Sequence, residues 1–91
     1  MIIYITAVHM ASGGSRHEHI ESVKWRDAVT GNTGGSQTGA IVTWLSASGN
    51  FARVQNGTGY VAVGTVKASV PYIRTYADAK WSDNLLALPR F

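Results

Sequence analysis

The chain has no cysteine, only two prolines, and a charged content of only 14% in 91 residues. The absence of cysteine excludes disulfide bonds, thiolate metal sites and cysteine nucleophiles. Because small secreted domains often carry disulfide bonds, we expect a cytoplasmic protein. No apolar run is long enough to cross a bilayer, and the apolar N-terminus lacks the basic segment of a secretory signal. We therefore expect a soluble protein that does not contact membranes.

The length predicts a single domain over residues 1–91. Hydrophobic residues make up 45% of the chain, which is ordinary, whereas the charged content lies below the usual value of about 25%. A surface with so little charge suits partial coverage by another subunit, so we expect a homo-oligomer. Eight Lys and Arg against five Asp and Glu give a net charge of +3. These basic residues are scattered, which favours a small anionic partner over duplex DNA.

The hydrophobic pattern predicts an α+β fold in the order β-β-α-β-β-β, with a small antiparallel sheet and one helix packed on it. Residues 2–10 are apolar on both faces, as is typical of a central strand, and residues 19–26 should pair with them in the antiparallel direction. A loop follows at residues 30–35. The helix is expected over residues 37–47, with its apolar face formed by Ile41, Trp44 and Leu45.

The ends of this helix carry capping residues. Ser36 or Thr38 is the expected N-cap, and Gly49 is the expected C-terminal cap. Three further strands are predicted at residues 51–55, 60–68 and 72–76, and residues 56–59 should form a hairpin turn between the first two. The tail, residues 78–91, is too irregular for a strand. Asp83 is expected to cap one helical turn there, which Pro89 would end.

A distinctive pattern near the C-terminus consists of Tyr72-Ile73-Arg74-Thr75, then Ala77-Asp78, and then Asp83-Asn84-Leu85-Leu86 with Leu88-Pro89. Together with Gly13-Gly14, His17, His19-Ile20 and Trp25, it resembles a family of small bacterial and phage proteins catalogued only as a domain of unknown function. The resemblance covers essentially the whole chain and implies a small prokaryotic or viral protein without an assigned activity. Many short phage genes encode binders that blunt host defences, so the resemblance also implies an anti-defence role by analogy.

Residues on and near the strand of this C-terminal pattern offer a phosphate holder and aromatic surfaces in one neighbourhood, as a nucleotide-type ligand requires. Arg74 can hold a phosphate through two parallel hydrogen bonds. Tyr72 and Tyr76 would share its face on a regular strand, and with Trp81 they offer aromatic surfaces on which bases stack. We therefore predict that these four residues bind the ligand.

Each of these residues also has a simpler interpretation. Arg74 can form an ion pair with Asp78 or Asp83 that ties the tail to the sheet. The aromatic residues can serve packing alone. Both interpretations stay open at this point.

Two glycine-rich loops add candidate phosphate contacts. Gly13, Gly14 and Arg16 can bring backbone N–H groups and a guanidinium close to an anion. Ser36 precedes the predicted helix, whose first N–H groups have no partner within the helix. Neither loop matches a phosphate-loop or dinucleotide motif.

His17 and His19 are two residues apart and would share one face of a strand, where Glu21 or His9 could help them approach a divalent ion. We favour hydrogen bonds to the backbone of the adjacent glycine-rich turn, because no fourth metal ligand is indicated. No metal and no cofactor are predicted, and both histidines are kept as candidate ligand-binding residues.

The sequence lacks the Gly-x-Ser-x-Gly and Ser-x-x-Lys motifs of serine enzymes, so we predict a non-catalytic protein. The function predicted is binding or sequestering a small anionic, nucleotide-type ligand, as a phage-encoded sponge for a signalling nucleotide would do. One alternative is an interaction module that inhibits a host defence protein. Another is a binder of single-stranded nucleic acid.

Overall fold

The computed structural model describes residues 1–77 and 80–91, which form a curled seven-stranded sheet with one α-helix packed on it. The strands are β1 (Ile2–Met10), β2 (Ile20–Asp27), β3 (Thr33–Gln37), β4 (Phe51–Asn56), β5 (Gly59–Val66), β6 (Tyr72–Ala77) and β7 (Lys80–Ser82). Helix α1 (Thr38–Leu45) follows β3, and a 3-10 helix (His17–His19) precedes β2. The α+β class is confirmed. The predicted element order lacked β3, β7 and the 3-10 helix.

The strands are arranged in the order β3-β2-β1-β4-β5-β6-β7. The expected antiparallel pairing of β1 with β2 is confirmed. The expectation of a purely antiparallel sheet is wrong, because β1 and β4 are parallel. The parallel arrangement is possible because β2, β3 and α1 lie between these two strands in the chain and provide a long crossover.

Strand β1 lies between β2 and β4 and supplies much of the core, as its apolar sequence predicts. Its pairing register with β2 shifts between Ile5 and Ala7. This bulge changes which residues face inward, so Ile3 and Ile5 before it and Val8 after it are all buried. Each such side chain contributes about 1.5–3 kcal/mol when it leaves water.

The core lies between α1 and one face of the sheet, which we call the inner face; the opposite face is the outer face. Trp44 and Leu45 of α1 pack against the core, as predicted. The buried core residues are Ile3, Ile5, Val8, Ile20, Val23, Ile41, Ala52, Val54, Val63, Ile73 and Leu85. No helix in the described part of the chain is both long and apolar enough to span a membrane.

Both capping predictions for the helix were wrong. The N-cap is Gln37, and Ser36 lies in β3, where its hydroxyl accepts a hydrogen bond of 3.1 Å from Trp25 Nε1. The C-cap is Ser46, so Gly49 lies beyond the end of the helix, where its φ of +86° serves the following turn.

The loop expected at residues 30–35 includes residues 33–35, yet these three residues belong to β3. The side chain of Trp25, in the neighbouring strand β2, packs against them. A Cβ atom on Gly34 would lie only 2.5 Å from the Trp25 ring, so the glycine allows the indole to lie against the β3 backbone. Tertiary packing, and not a local pattern, forms this strand.

The other strands end within two residues of the predicted positions. Strand β2 starts at Ile20, since His19 belongs to the 3-10 helix. The hairpin prediction is confirmed: Asn56 pairs with Gly59, and Gly57 has a φ of +63° in the turn between them.

The tail contains more structure than predicted. Strand β7 pairs with β6, and Arg90 forms a parallel bridge with Val8 of β1. A turn starts at the Asp83 carbonyl, which accepts a 3.1 Å hydrogen bond from the N–H of Leu86. The Asp83 side chain accepts a hydrogen bond from Arg74, so its predicted role as a helix cap was wrong.

Candidate functional site

The outer face of β6 and β7 carries an exposed aromatic pair. Ile73 and Thr75 point inward and are fully buried, which places their β6 neighbours Tyr72, Arg74 and Tyr76 on the outer face. Tyr76 pairs with Trp81 across the strands, and their rings meet edge to face with centroids 5.1 Å apart. They are 44% and 42% exposed, so both offer aromatic surface to a ligand.

Small residues lie beside this pair on β5. Ala62 pairs with Tyr76 and Gly64 pairs with Arg74. A Cβ atom on Gly64 would lie 3.4 Å from the Trp81 ring, so the indole reaches back across β6 as far as β5. The indole therefore lies over Gly64, whereas Ala62 beside Tyr76 is exposed.

A second aromatic contact lies on β4 and β5. The guanidinium carbon of Arg53 is 3.8 Å from the centroid of the Tyr60 ring, which is close enough for a cation–π interaction. Both residues line an open cleft of about 640 Å³ that is also bordered by Phe51 and Lys67 and, from the helix α1 side, by Val42 and Leu45. Sequence reasoning missed this contact, because the two residues lie on opposite sides of the hairpin turn.

Strand pairing aligns these groups into one row across the outer face, which we call the outer row. Its members, in sheet order from β2 to β7, are Arg26, Tyr4, Arg53, Ala62, Tyr76 and Trp81. Six strands at their usual spacing give the row a length of roughly 24 Å. The Arg26 guanidinium lies 5.2 Å from the Tyr4 ring, which repeats the arginine–tyrosine contact of Arg53.

The arginines of the outer row are available for anions. In the described part of the chain, the ion pairs within 4.0 Å involve Arg16, His17 and Arg74, and none involves Arg26 or Arg53. A ligand phosphate would not have to displace a carboxylate from either guanidinium of the row.

Arg74, unlike Arg26 and Arg53, forms an ion pair within the protein. Its Nη2 donates a 2.9 Å hydrogen bond to Asp83 Oδ1, and its Nε donates a 3.1 Å hydrogen bond to the Ser82 carbonyl. The ion pair with Asp83 thus occurs in the structure, whereas Asp78 lies outside the described residues. One guanidinium nitrogen, Nη1, takes no part in these contacts.

Beneath this ion pair, a buried hydroxyl holds the end of β7 in place. Thr75 Oγ1 donates to the Ser82 carbonyl at 3.0 Å and accepts the N–H of Asn84 at 3.1 Å. The Ser82 hydroxyl lies 2.7 Å from Thr75 Oγ1 and 2.8 Å from Asn84 Oδ1. These bonds fix the backbone on both sides of Asp83.

His17 lies next to the Arg74–Asp83 pair. It is only 6% exposed, and its Nε2 lies 3.8 Å from Asp83 Oδ1, too far for a hydrogen bond. No hydrogen-bond partner for this buried nitrogen occurs among the described residues. Burial, followed by the positive charge of Arg74, lowers the pKa of His17, while the charges of Asp83 and Glu18 oppose this shift.

His17 and His19 lie in a 3-10 helix and not on a strand as expected. Residues two apart in such a helix point in different directions, so His19 makes contacts that His17 does not. Its Nδ1 accepts hydrogen bonds of 3.1 Å from the N–H groups of Ser15 and Arg16. The N–H of Gly14 donates to the Ala11 carbonyl at 2.8 Å. These three N–H groups of the predicted phosphate loop therefore already have protein acceptors.

The remaining predicted site residues are scattered. Gly13, with a φ of +73°, forms the turn after β1, and the exposed Arg16 pairs with Glu18 at 3.9 Å. Ser36 lies on β3, at the opposite edge of the sheet from β7. Within residues 1–77 and 80–91, no three His, Cys, Asp or Glu side chains come together as a metal site would require.

Comparison with known proteins gives a family without an assigned activity. Neither a curated protein nor a solved structure matches the chain. A family model described as "Protein of unknown function (DUF3892)" matches residues 4–89, which include the outer row and the residues around His17. This match covers nearly the whole sequence, so the chain belongs to the DUF3892 family.

Proposed function

We propose that this protein is a non-catalytic binder of single-stranded nucleic acid, which lies along the outer row. The observation that carries the proposal is the row itself, where aromatic rings occur on neighbouring strands beside arginines that have no carboxylate partner among residues 1–77 and 80–91. Proteins that bind single strands combine the same two elements, aromatic surfaces for bases and a basic path for phosphates.

The aromatic pair supports base stacking. Tyr76 and Trp81 meet edge to face, so part of each ring surface stays open to solvent. The small side chain of the exposed Ala62, which pairs with Tyr76, leaves room for a base to approach the sheet. Stacking on one aromatic side chain contributes about 1–3 kcal/mol per base and does not depend strongly on which base it is.

The arginine–tyrosine contacts support phosphate binding. A guanidinium that lies over a ring keeps its N–H groups directed outward in the plane of the guanidinium, where they can bind two phosphate oxygens. The guanidinium carbon of Arg53 lies 3.8 Å from the Tyr60 ring centroid, and that of Arg26 lies 5.2 Å from the Tyr4 ring centroid. The ring also restricts the motion of the arginine, which reduces the entropy lost when the phosphate binds.

The shape of the site favours a strand over a single nucleotide. Pockets for small molecules commonly enclose 70–90% of their ligand, whereas the cleft at Arg53 and Tyr60 is open to solvent. The row of roughly 24 Å also exceeds the length of one nucleotide.

Sequestering of a signalling nucleotide is the second candidate function. The cleft volume of about 640 Å³ lies in the range of small-molecule sites, roughly 300–1,000 Å³. An open cleft would enclose a nucleotide only when a second copy of the chain covers it, as in the homo-oligomer predicted from the sequence. A phage origin would suit this role. Native mass spectrometry with cyclic dinucleotides would detect such a closed complex.

The proposal is tested by fluorescence anisotropy with a labelled oligothymidine of about 12 nucleotides, which lies within the usual range of site sizes. We expect salt-sensitive binding that Trp81→Ala weakens by about 5- to 160-fold, equivalent to 1–3 kcal/mol. Val29→Ser, which alters an exposed apolar residue in the turn after β2, is the control and should bind like the parent protein. Absence of binding at low salt would refute the proposal.

A further inference from the structure

We infer that His17 and Arg74 form a pocket for a phosphate monoester, and that the carboxylate of Asp83 occupies the Arg74 side of this pocket in the free protein. The inference rests on the proposed function in one respect: the expected monoester is the terminal phosphate of the bound strand. The pocket would then hold the end of a strand whose bases stack on the neighbouring Tyr76 and Trp81.

The first observation is the side chain of His17. It is buried, and its Nε2 has no hydrogen-bond partner among the described residues. More than nine-tenths of buried polar groups in proteins are hydrogen-bonded, so a buried nitrogen of this kind points to a ligand. Asp83 Oδ1 lies 3.8 Å away from this nitrogen and accepts a hydrogen bond from Arg74 instead.

The second observation is the fixed position of Arg74. Its Nε is tied to the Ser82 carbonyl, so the guanidinium cannot turn away when Asp83 leaves. The edge that carries Nη2 then faces the same space as His17 Nε2, because both atoms lie close to Asp83 Oδ1. A phosphate monoester has three terminal oxygens and can accept from both groups at once. The carboxylate of Asp83 accepts a hydrogen bond from Arg74 but not from His17.

The third observation is that Asp83 can be displaced. Its side chain is 73% exposed and pairs with Arg74 through a single oxygen. The backbone on either side is held by the Thr75 hydroxyl and by the turn to Leu86, so the carboxylate can rotate outward without loss of the fold. Exposed ion pairs of this kind contribute little to stability, and a dianion competes well for the guanidinium.

The surrounding charges favour a dianionic ligand. Arg74, Asp83 and Glu18 are the charged groups whose fields act on His17. In the free protein, burial and Arg74 lower the pKa of the imidazole. A phosphate that replaces Asp83 brings more negative charge next to Nε2, so it favours the protonated imidazole, which then donates a charge-assisted hydrogen bond.

The test uses the full chain with histidine side chains labelled for NMR and inorganic phosphate as the probe. Phosphate should shift the His17 imidazole resonances and leave those of His9, on the outer face of β1, unchanged. Asp83→Asn removes the competing charge and should strengthen phosphate binding by up to about 5-fold, the upper value for an exposed ion pair. Glu21→Gln, an exposed carboxylate on β2, is the matched control and should bind phosphate like the parent.

A second measurement identifies the source of the phosphate. An oligothymidine with a 5′-phosphate is compared by anisotropy with the same strand ending in a hydroxyl, and with a 3′-phosphate strand. A preference for either phosphorylated end that Arg74→Gln abolishes supports the pocket as a strand-end site. A response of His17 to inorganic phosphate without any end preference supports the pocket and assigns it to a small phosphorylated molecule.

The inference fails if phosphate leaves the His17 resonances unchanged in both the parent and Asp83→Asn. That outcome leaves the proposed function intact, because strand binding is tested separately through Trp81 and Arg53. Conversely, loss of strand binding with a retained His17 response would refute the proposed function and keep the pocket.

Discussion

Replacement of Arg53 by Gln should reduce the salt dependence of strand binding. If Arg26, Arg53 and Lys67 each neutralise one phosphate, the slope of log affinity against log salt is about −2.1, at about 0.7 per contact on single strands. A rise from about 50 to 200 mM salt then weakens the parent protein roughly 18-fold. With two contacts left, the slope becomes about −1.4, and the same change in salt weakens Arg53→Gln only about 7-fold.

The assay is anisotropy with labelled oligothymidine at four or more salt concentrations. Arg16→Gln is the matched control, because Arg16 is also an exposed arginine but pairs with Glu18 outside the outer row. Its slope should equal that of the parent. A slope for Arg53→Gln equal to the parent value would mean that Arg53 contacts no phosphate, and equal reductions in both variants would indicate a general effect of net charge.

Three further predictions concern the fold and its titration. Gly34→Ala should lower the free energy of unfolding by about 1–3 kcal/mol in urea titrations, since its new methyl group would overlap the Trp25 indole ring. Gly35→Ala, whose new Cβ would lie 3.5 Å from the Val23 carbonyl oxygen, should lower the free energy of unfolding far less. Thr75→Val should abolish the hydrogen-exchange protection of the Asn84 amide, whereas Thr75→Ser, which keeps the hydroxyl, should retain it. Because the folded protein holds the pKa of His17 below its unfolded value of about 6.5, the unfolded chain binds more protons, so stability should fall as the pH drops below this value. Urea unfolding of the parent and His17→Gln at about pH 5.5 and 7.5 measures this loss, and an equal loss in both would contradict the assignment to His17.

The elements that sequence reasoning predicted are those with their own apolar pattern. Strand β1, helix α1 and the hairpin of β4 and β5 all carry such patterns or a strong turn signal, and the structure places them close to the expected positions. Strand β3 has no apolar side chain and forms because Trp25 packs on Gly34, a contact between separate strands. No local pattern could reveal it.

In the candidate site, too, the arrangement within one strand could be predicted from the sequence, and the arrangement between strands could not. Tyr72, Arg74 and Tyr76 share one face because alternation along a strand is a local rule. The outer row, in contrast, joins residues as distant as Tyr4 and Trp81, and it depends on the strand order and on the parallel pairing of β1 with β4. Two predicted contributors, Ser36 and the Gly14 loop, were assigned from turn residues whose hydrogen-bonding groups in fact bind other parts of the protein.

Strand β1 acquires its neighbours at widely separated stages of synthesis. Its first partner, β2, emerges from the ribosome soon after it, and β4 follows after β3 and α1. The third partner, residues 89–91, emerges later still: the N–H of Val8 donates to the Pro89 carbonyl and the N–H of Phe91 donates to the Val8 carbonyl. Contacts of such long sequence separation form late and slow folding. A nascent chain therefore carries half of one β1 edge exposed until residues 89–91 have left the exit tunnel, and this edge is where association with other nascent chains would begin.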